Sequence, residues 1–143
     1  MKIYLDHAAT TPVAKEVLQA MQPYFSKKFG NSSTIYKLGQ ESDTTLKKSR
    51  QIIAKFINAK PEEIIFTSGG SESNNFAIKG ILSSNKNHII TTNIEHPSVL
   101  NTCKSLEKKG YKVTYLKVDK EGLINLKDLE DSITKNTVLV SII

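Results

Sequence analysis

A single cysteine, Cys103, is all that the 143 residues contain, so no disulfide can form within the chain and no metal site can be built from several thiolates. That scarcity fits a reducing compartment, and the cytoplasm is the expected location. Arginine is equally rare, since Arg50 stands alone among 20 basic residues. Nucleic-acid recognition leans on arginine forks and aromatic stacking platforms. Neither is apparent, so direct nucleic-acid binding is not expected. The net charge of +6 reads instead as a solvated lysine surface. No apolar run approaches the roughly 18 to 20 residues of a membrane helix. Residues Met1 to His7 carry no long apolar core behind a basic start, which argues against a secretory signal. With 38% hydrophobic residues and neither internal repeats nor a low-complexity linker, the chain can bury one sizeable core.

Periodicity supplies the elements. Thr11-Pro12 reads as a cap followed by a first-turn proline, and Val13, Val17, Leu18, Met21 and Phe25 recur at helical spacing, which predicts a helix over 12–26. A second helix follows the Gly30-Asn31-Ser32-Ser33 loop, carries Leu46, Ile53, Phe56 and Ile57 on one face, and closes at Asn58 to Pro61. Beyond Glu62, short β-rich runs at 64–67, 88–91, 113–116 and 137–143 alternate with helical patterns. Those helices run from Glu72 to Leu82, from Pro97 with Val99, Leu100, Cys103 and Leu106 inward, and after an Asn125 cap with Leu126, Leu129 and Ile133 inward. The alternation predicts an α/β fold with a mostly parallel sheet flanked by helices. The last apolar run reaches Ile143 without a turn, a cap or a covering helix, so the expected fold is incomplete in this chain.

Ligands in open α/β sheets bind beyond the carboxyl ends of the strands. Two loops there are unusual. Ser68-Gly69-Gly70-Ser71-Glu72 places small residues, backbone N–H groups and a hydroxyl at a helix start, an arrangement suited to phosphate. By itself a glycine pair at such a turn is more often a tight connection. Asn93-Ile94-Glu95-His96-Pro97 places an imidazole immediately before a helix, where a histidine is usually a modest cap or a surface residue. Together they describe a site for a flat phosphorylated cofactor such as pyridoxal phosphate. Cys103 reads as core, His88 as structural with no metal site around it, and Glu72 and Glu95 as carboxylates that could orient their neighbours.

Tyr4-Leu5-Asp6-His7-Ala8-Ala9-Thr10-Thr11, Phe66-Thr67-Ser68-Gly69-Gly70-Ser71-Glu72-Ser73-Asn74-Asn75 and Glu95-His96-Pro97-Ser98-Val99-Leu100 resemble, in order, the signatures of the cysteine desulfurase family of the class-V aminotransferase superfamily. The resemblance spans essentially the whole chain. It implies a type I pyridoxal-phosphate-dependent aminotransferase-like fold and a homodimer. It also implies removal of sulfur from L-cysteine to give L-alanine and an enzyme persulfide. Sulfur would then pass to an acceptor or iron–sulfur scaffold protein, or to tRNA thiolation. Gly70 and Ser71 match the positions that hold the cofactor phosphate, with serine standing where threonine is commoner. His96 matches the histidine that stacks on the cofactor ring and takes part in proton transfer. Residues 1–11 match an N-terminal segment near the active site, and 12–143 the N-terminal part of the large cofactor-binding domain.

The family's Schiff-base lysine, the acid paired with the pyridine nitrogen, the persulfide cysteine and the arginine for the substrate carboxylate match no position here and are expected beyond residue 143. The 143 residues alone are therefore expected to be inactive. A selenocysteine lyase or another class-V enzyme is the nearest alternative reading. A noncatalytic basic binding module is the alternative from a different class, and salt-sensitive nucleic-acid binding would mark it.

Overall fold

Residues 3–82 and 85–143 are described by the structure, a computed structural model, which divides into two units, Met1–Ile65 and Phe66–Ile143. In the first, helix α1 (Lys15–Met21) begins later than the Thr11-Pro12 pair suggests. Ala14 is its N-cap and keeps an extended backbone (φ −59°, ψ 144°), and the fixed φ of Pro12 suits extended chain as well as a helical turn. Its end tightens into a 3-10 turn, Gln22–Phe25, where Pro23 has no N–H to give the α ladder.

Helix α2 (Lys37–Phe56) starts against the turn at Asn31 to Thr34, in which the Thr34 N–H and hydroxyl both donate to the Asn31 carbonyl (3.0 and 2.7 Å). Gly39 is buried there, and a Cβ would run into Thr34 and the Asn31 carbonyl, so glycine is what permits the approach. Asn58, in left-handed backbone (φ 56°), turns the chain away after α2, and Pro61 opens another 3-10 turn instead of closing the helix. The apolar residues on one face of α2 are exposed, with Leu46 at 42% and Phe56 at 91%. Ala54 and Gly39 are what α2 buries.

The run Ile64-Ile65-Phe66-Thr67, expected as a strand, pairs with no strand of the described sheet. Ile64 spends its backbone locally, donating its N–H to the Pro61 carbonyl (3.2 Å) and accepting at its own carbonyl from the Arg50 guanidinium. β-rich side chains favour a strand only where a neighbouring strand is present to pair with.

In the second unit, β1 (His88–Thr92) lies between β2 (Lys112–Leu116) and β3 (Thr137–Ser141), both parallel to it, in the order β2-β1-β3. Helices α3 (Gly70–Gly80), α4 (Pro97–Glu107) and α5 (Leu126–Ser132) flank the strands along the sequence, as the alternating pattern predicts. Every residue of β1 is buried, which is the condition of a central parallel strand. Ile89 of β1 packs with Ile78 of α3 and with Val99, Cys103 and Leu106 of α4 in the core cluster. Cys103 is thus a core residue. Burial pushes its thiol above the ordinary range, with Glu107 and Glu95 adding to the effect, the opposite of what a nucleophilic thiolate needs. Gly110, in left-handed backbone (φ 90°), closes α4 while the Tyr111 N–H reaches back to the Leu106 carbonyl (3.1 Å).

Helix α5 carries the expected Asn125 cap, whose side-chain oxygen accepts from the Lys127 N–H at 2.8 Å. Its expected inward side is corrected in part: Leu126 is 74% exposed and Ile133 53%, while Leu129 is half-buried. Ile133 already has extended backbone (φ −71°, ψ 127°) just past a seven-residue helix, so it falls off the helical stripe. β3 likewise ends at Ser141, short of the expected 143.

His88 holds the sheet together laterally. Its Nδ1 lies 2.8 Å from the Thr137 hydroxyl on β3 and its Nε2 2.8 Å from the Thr114 hydroxyl on β2, so one buried ring bridges all three strands. Burial, and secondarily Lys112, lowers its pKa below the ordinary 6.5. Because the folded-state value is the lower one, the neutral ring's contribution is complete above the unfolded value of 6.5 and is lost as pH falls through the folded value. Thermal unfolding scanned between about pH 7.5 and pH 5 should show a falling midpoint on the acid side, and that slope should shrink in His88→Phe. His88→Ala should cost about 2 to 4 kcal/mol in urea denaturation, through the lost volume and two stranded hydroxyls.

Candidate functional site

Two helix starts carry the predicted site residues. Gly70 and Ser71 open α3, where Gly69 stands as N-cap in extended backbone and the first intrahelical bond runs from the Ser73 N–H to the Gly69 carbonyl (3.0 Å). The N–H groups of Gly70, Ser71 and Glu72 therefore precede the ladder and have no intrahelical acceptor. Glu72 reaches back, its Oε2 accepting from the Ser68 N–H (2.7 Å) and hydroxyl (2.6 Å). Those bonds, the hydroxyl's first, hold its carboxyl below the usual carboxylate range. They also fix the loop from the far side, while the Thr67 and Ser73 hydroxyls meet at 2.6 Å. Nothing lies within 4 Å of where a Cβ on Gly69 or Gly70 would stand. The backbone at the mouth of α3 is uncovered, and an anion can approach its donors directly.

His96 is the N-cap of α4, with Pro97 in the first turn. Its Nδ1 accepts from the Ser98 N–H at 3.1 Å and lies 2.8 Å from the Ser98 hydroxyl. The ring itself is exposed. The preceding loop is anchored by Glu95, a buried carboxylate that accepts from the Thr92 hydroxyl (3.2 Å) and from the Ile143 N–H (2.6 Å). Glu95 thus orients its neighbours, tying the end of β1 to the residues after β3.

Ser71 and His96 face one cleft of about 450 Å³, whose wall also includes Asn75, Ser98, Asn101 and Thr102. Its donor set suits an anion at the α3 end and a flat ring against the exposed imidazole. Gly70, the first residue of α3, adjoins Ser71 but is not among the residues that line this cleft. No group of three or more histidines, cysteines and carboxylates able to hold a metal occurs among the described residues. Sequence reasoning gave no role to Asn74 or Ser98. Asn74 donates to the Ser98 hydroxyl across α3 and α4 at 2.8 Å, a pairing between residues 24 apart that no local pattern signals.

The family model described as aminotransferase class-V matches residues 3–143. A cysteine desulfurase IscS of Dictyoglomus turgidum is 52% identical over 144 aligned residues, covering 99% of this chain and 36% of that protein. A solved NifS-like protein superposes with a TM-score of 0.94 at 40% identity, over 99% of this chain and 40% of its own. The structure described as SspA in complex with cysteine superposes at 0.90 with 46% identity, over 97% and 41%. The chain thus spans well under half the length of these relatives.

Replacing Glu72 by Gln should loosen the start of α3. The first-turn amides should exchange faster with solvent, while the amides of β1, held by the buried core, should keep their protection in the same experiment.

Proposed function

The chain belongs to the class-V aminotransferase family, and from that membership we propose that it is the N-terminal part of a pyridoxal-phosphate-dependent cysteine desulfurase, which takes sulfur from L-cysteine and leaves L-alanine. The observation that carries the reading is the meeting of Ser71 and His96 on one cleft, in a chain 52% identical to a cysteine desulfurase over nearly its whole length. The relative solved with cysteine supports cysteine as the substrate.

The residues present suit the cofactor. The N–H groups of Gly70 and Ser71, the Ser71 hydroxyl and the positive end of the α3 dipole form a cradle for its phosphate. His96, held at Nδ1 by Ser98, offers an exposed ring to pack on the face of a pyridine. Bound there, pyridoxal phosphate supplies an electron sink for bond cleavage next to the substrate amino group. The chain's own contribution is to anchor, orient and hold a proton: the α3 start fixes the phosphate, and the imidazole fixes the ring plane and carries an exchangeable proton beside it. The lysine, acid, cysteine and arginine that complete the reaction belong to the remainder of the proposed enzyme. Residues 1–11 are proposed to lie near the site and 12–143 to be the first part of the large domain. A cytoplasmic homodimer delivering sulfur to an acceptor or iron–sulfur scaffold protein, or to tRNA thiolation, completes the proposal. No described helix is long and apolar enough to cross a membrane.

Full-length protein incubated with L-cysteine and a reductant should release alanine and sulfide in equal amounts only when pyridoxal phosphate is supplied, whereas the 143 residues alone should release neither. Cofactor binding without release of either product would favour a different reaction of the same class. Ser71→Ala should weaken cofactor binding by roughly tenfold in an absorbance titration, the effect of losing one charge-assisted hydrogen bond to phosphate.

A further inference from the structure

A main-chain N–H can only donate, so the 3.1 Å contact from Ser98 N–H obliges Nδ1 of His96 to present its lone pair. In the neutral ring the proton therefore sits on Nε2. The Ser98 side chain strengthens that choice. Its oxygen receives a hydrogen bond from Asn74 Nδ2 at 2.8 Å, which leaves its own proton to point at Nδ1, also 2.8 Å away. The direction runs from Asn74 on α3, through the Ser98 hydroxyl, to the imidazole at the head of α4. Turning the ring over would put a carbon where Nδ1 stands and break both of its bonds at once. The Thr102 hydroxyl, donating to the Ser98 carbonyl at 2.7 Å, steadies the same turn of α4. A backbone cap alone would need neither the Ser98 hydroxyl nor Asn74.

We propose that Asn74 and Ser98 are positioning residues that lock His96 as the Nε2–H tautomer in a fixed plane, so that the proton this ring presents to the cleft is always the one on Nε2. The inference rests on the reading of the cleft as the cofactor site, and it adds to that reading which nitrogen faces the chemistry and what holds it there. Asn74 also couples the two helix starts: the helix that would hold the phosphate sets, through one amide, the state of the ring that would lie against the pyridine.

Full-length protein labelled with nitrogen-15 at histidine reports the tautomer directly through multiple-bond nitrogen–proton correlations, with His96→Gln used to assign the signals. The wild type should show an unprotonated Nδ1 and a protonated Nε2, with or without pyridoxal phosphate. In Ser98→Ala and in Asn74→Ala the ratio of the two tautomers should fall roughly fivefold, the effect of one hydrogen bond. Ser98→Thr, which keeps the hydroxyl, should restore it. Steady-state alanine formation should show kcat falling by a similar factor in the two alanine variants while KM is held. A protonated Nδ1 in the wild type, or an unchanged tautomer ratio in both alanine variants, would overturn the proposal. A wild type that shows the expected tautomer but binds no pyridoxal phosphate would overturn the reading of the cleft and leave the hydrogen-bond chain standing.

Discussion

Complete burial of β1 is the constraint on which the second unit depends. Because β1 has no solvent face, its residues depend on neighbours within the fold, although the buried Thr91 hydroxyl finds no hydrogen-bond partner among the described residues. Ile89 is covered by α3 and α4 through Ile78, Val99, Cys103 and Leu106. His88 is satisfied laterally by Thr114 and Thr137. Thr92 is satisfied by Glu95. Once β1 is placed, the loop beyond its carboxyl end has little freedom, and His96 is delivered to the head of α4 at a defined height.

The site is then a consequence of two helices packed on one strand. Helix α3 brings uncovered N–H groups and the Ser71 hydroxyl, and α4 brings an imidazole already engaged at one nitrogen. Neither element makes a functional site alone, because a helix start attracts any anion and an exposed histidine caps many helices. Their adjacency, enforced by the shared core cluster and the Asn74–Ser98 bond, is what distinguishes this cleft from an ordinary loop surface.

Several features were legible from local pattern. Val99, Cys103 and Leu106 recur at helical spacing and are buried as that spacing requires. The Asn125 cap and the alternation that makes a parallel sheet follow from short-range chemistry as well. Where the reading failed, the missing information was long-range. Ile64 to Thr67 has the composition of a strand but pairs with no strand of the described sheet, and the Ile64 backbone turns to Pro61 and Arg50 instead. Leu126 and Ile133 at the ends of α5 have an inward-looking spacing yet stay exposed, as do Leu46 and Phe56 on one face of α2, since amphipathicity states that a face can be buried without supplying what buries it. Most of the candidate site was readable, because glycines and serines at a helix start and a histidine before a proline are local signals.

By itself the sequence determined the α/β alternation, the buried character of Cys103 and the residue types proposed to hold a phosphate and a flat ring, all of which depend on neighbours a few positions away. Only the tertiary structure decided that Ser71 and His96 share a cleft, that Glu95 is a buried anchor, and that Asn74 and Ser98 govern which nitrogen of His96 is engaged. The physical reason is that hydrogen bonds between α3 and α4, or from Glu95 to Ile143, join residues 24 and 48 positions apart. Such pairs acquire a geometry only when the chain between them has folded back and packed.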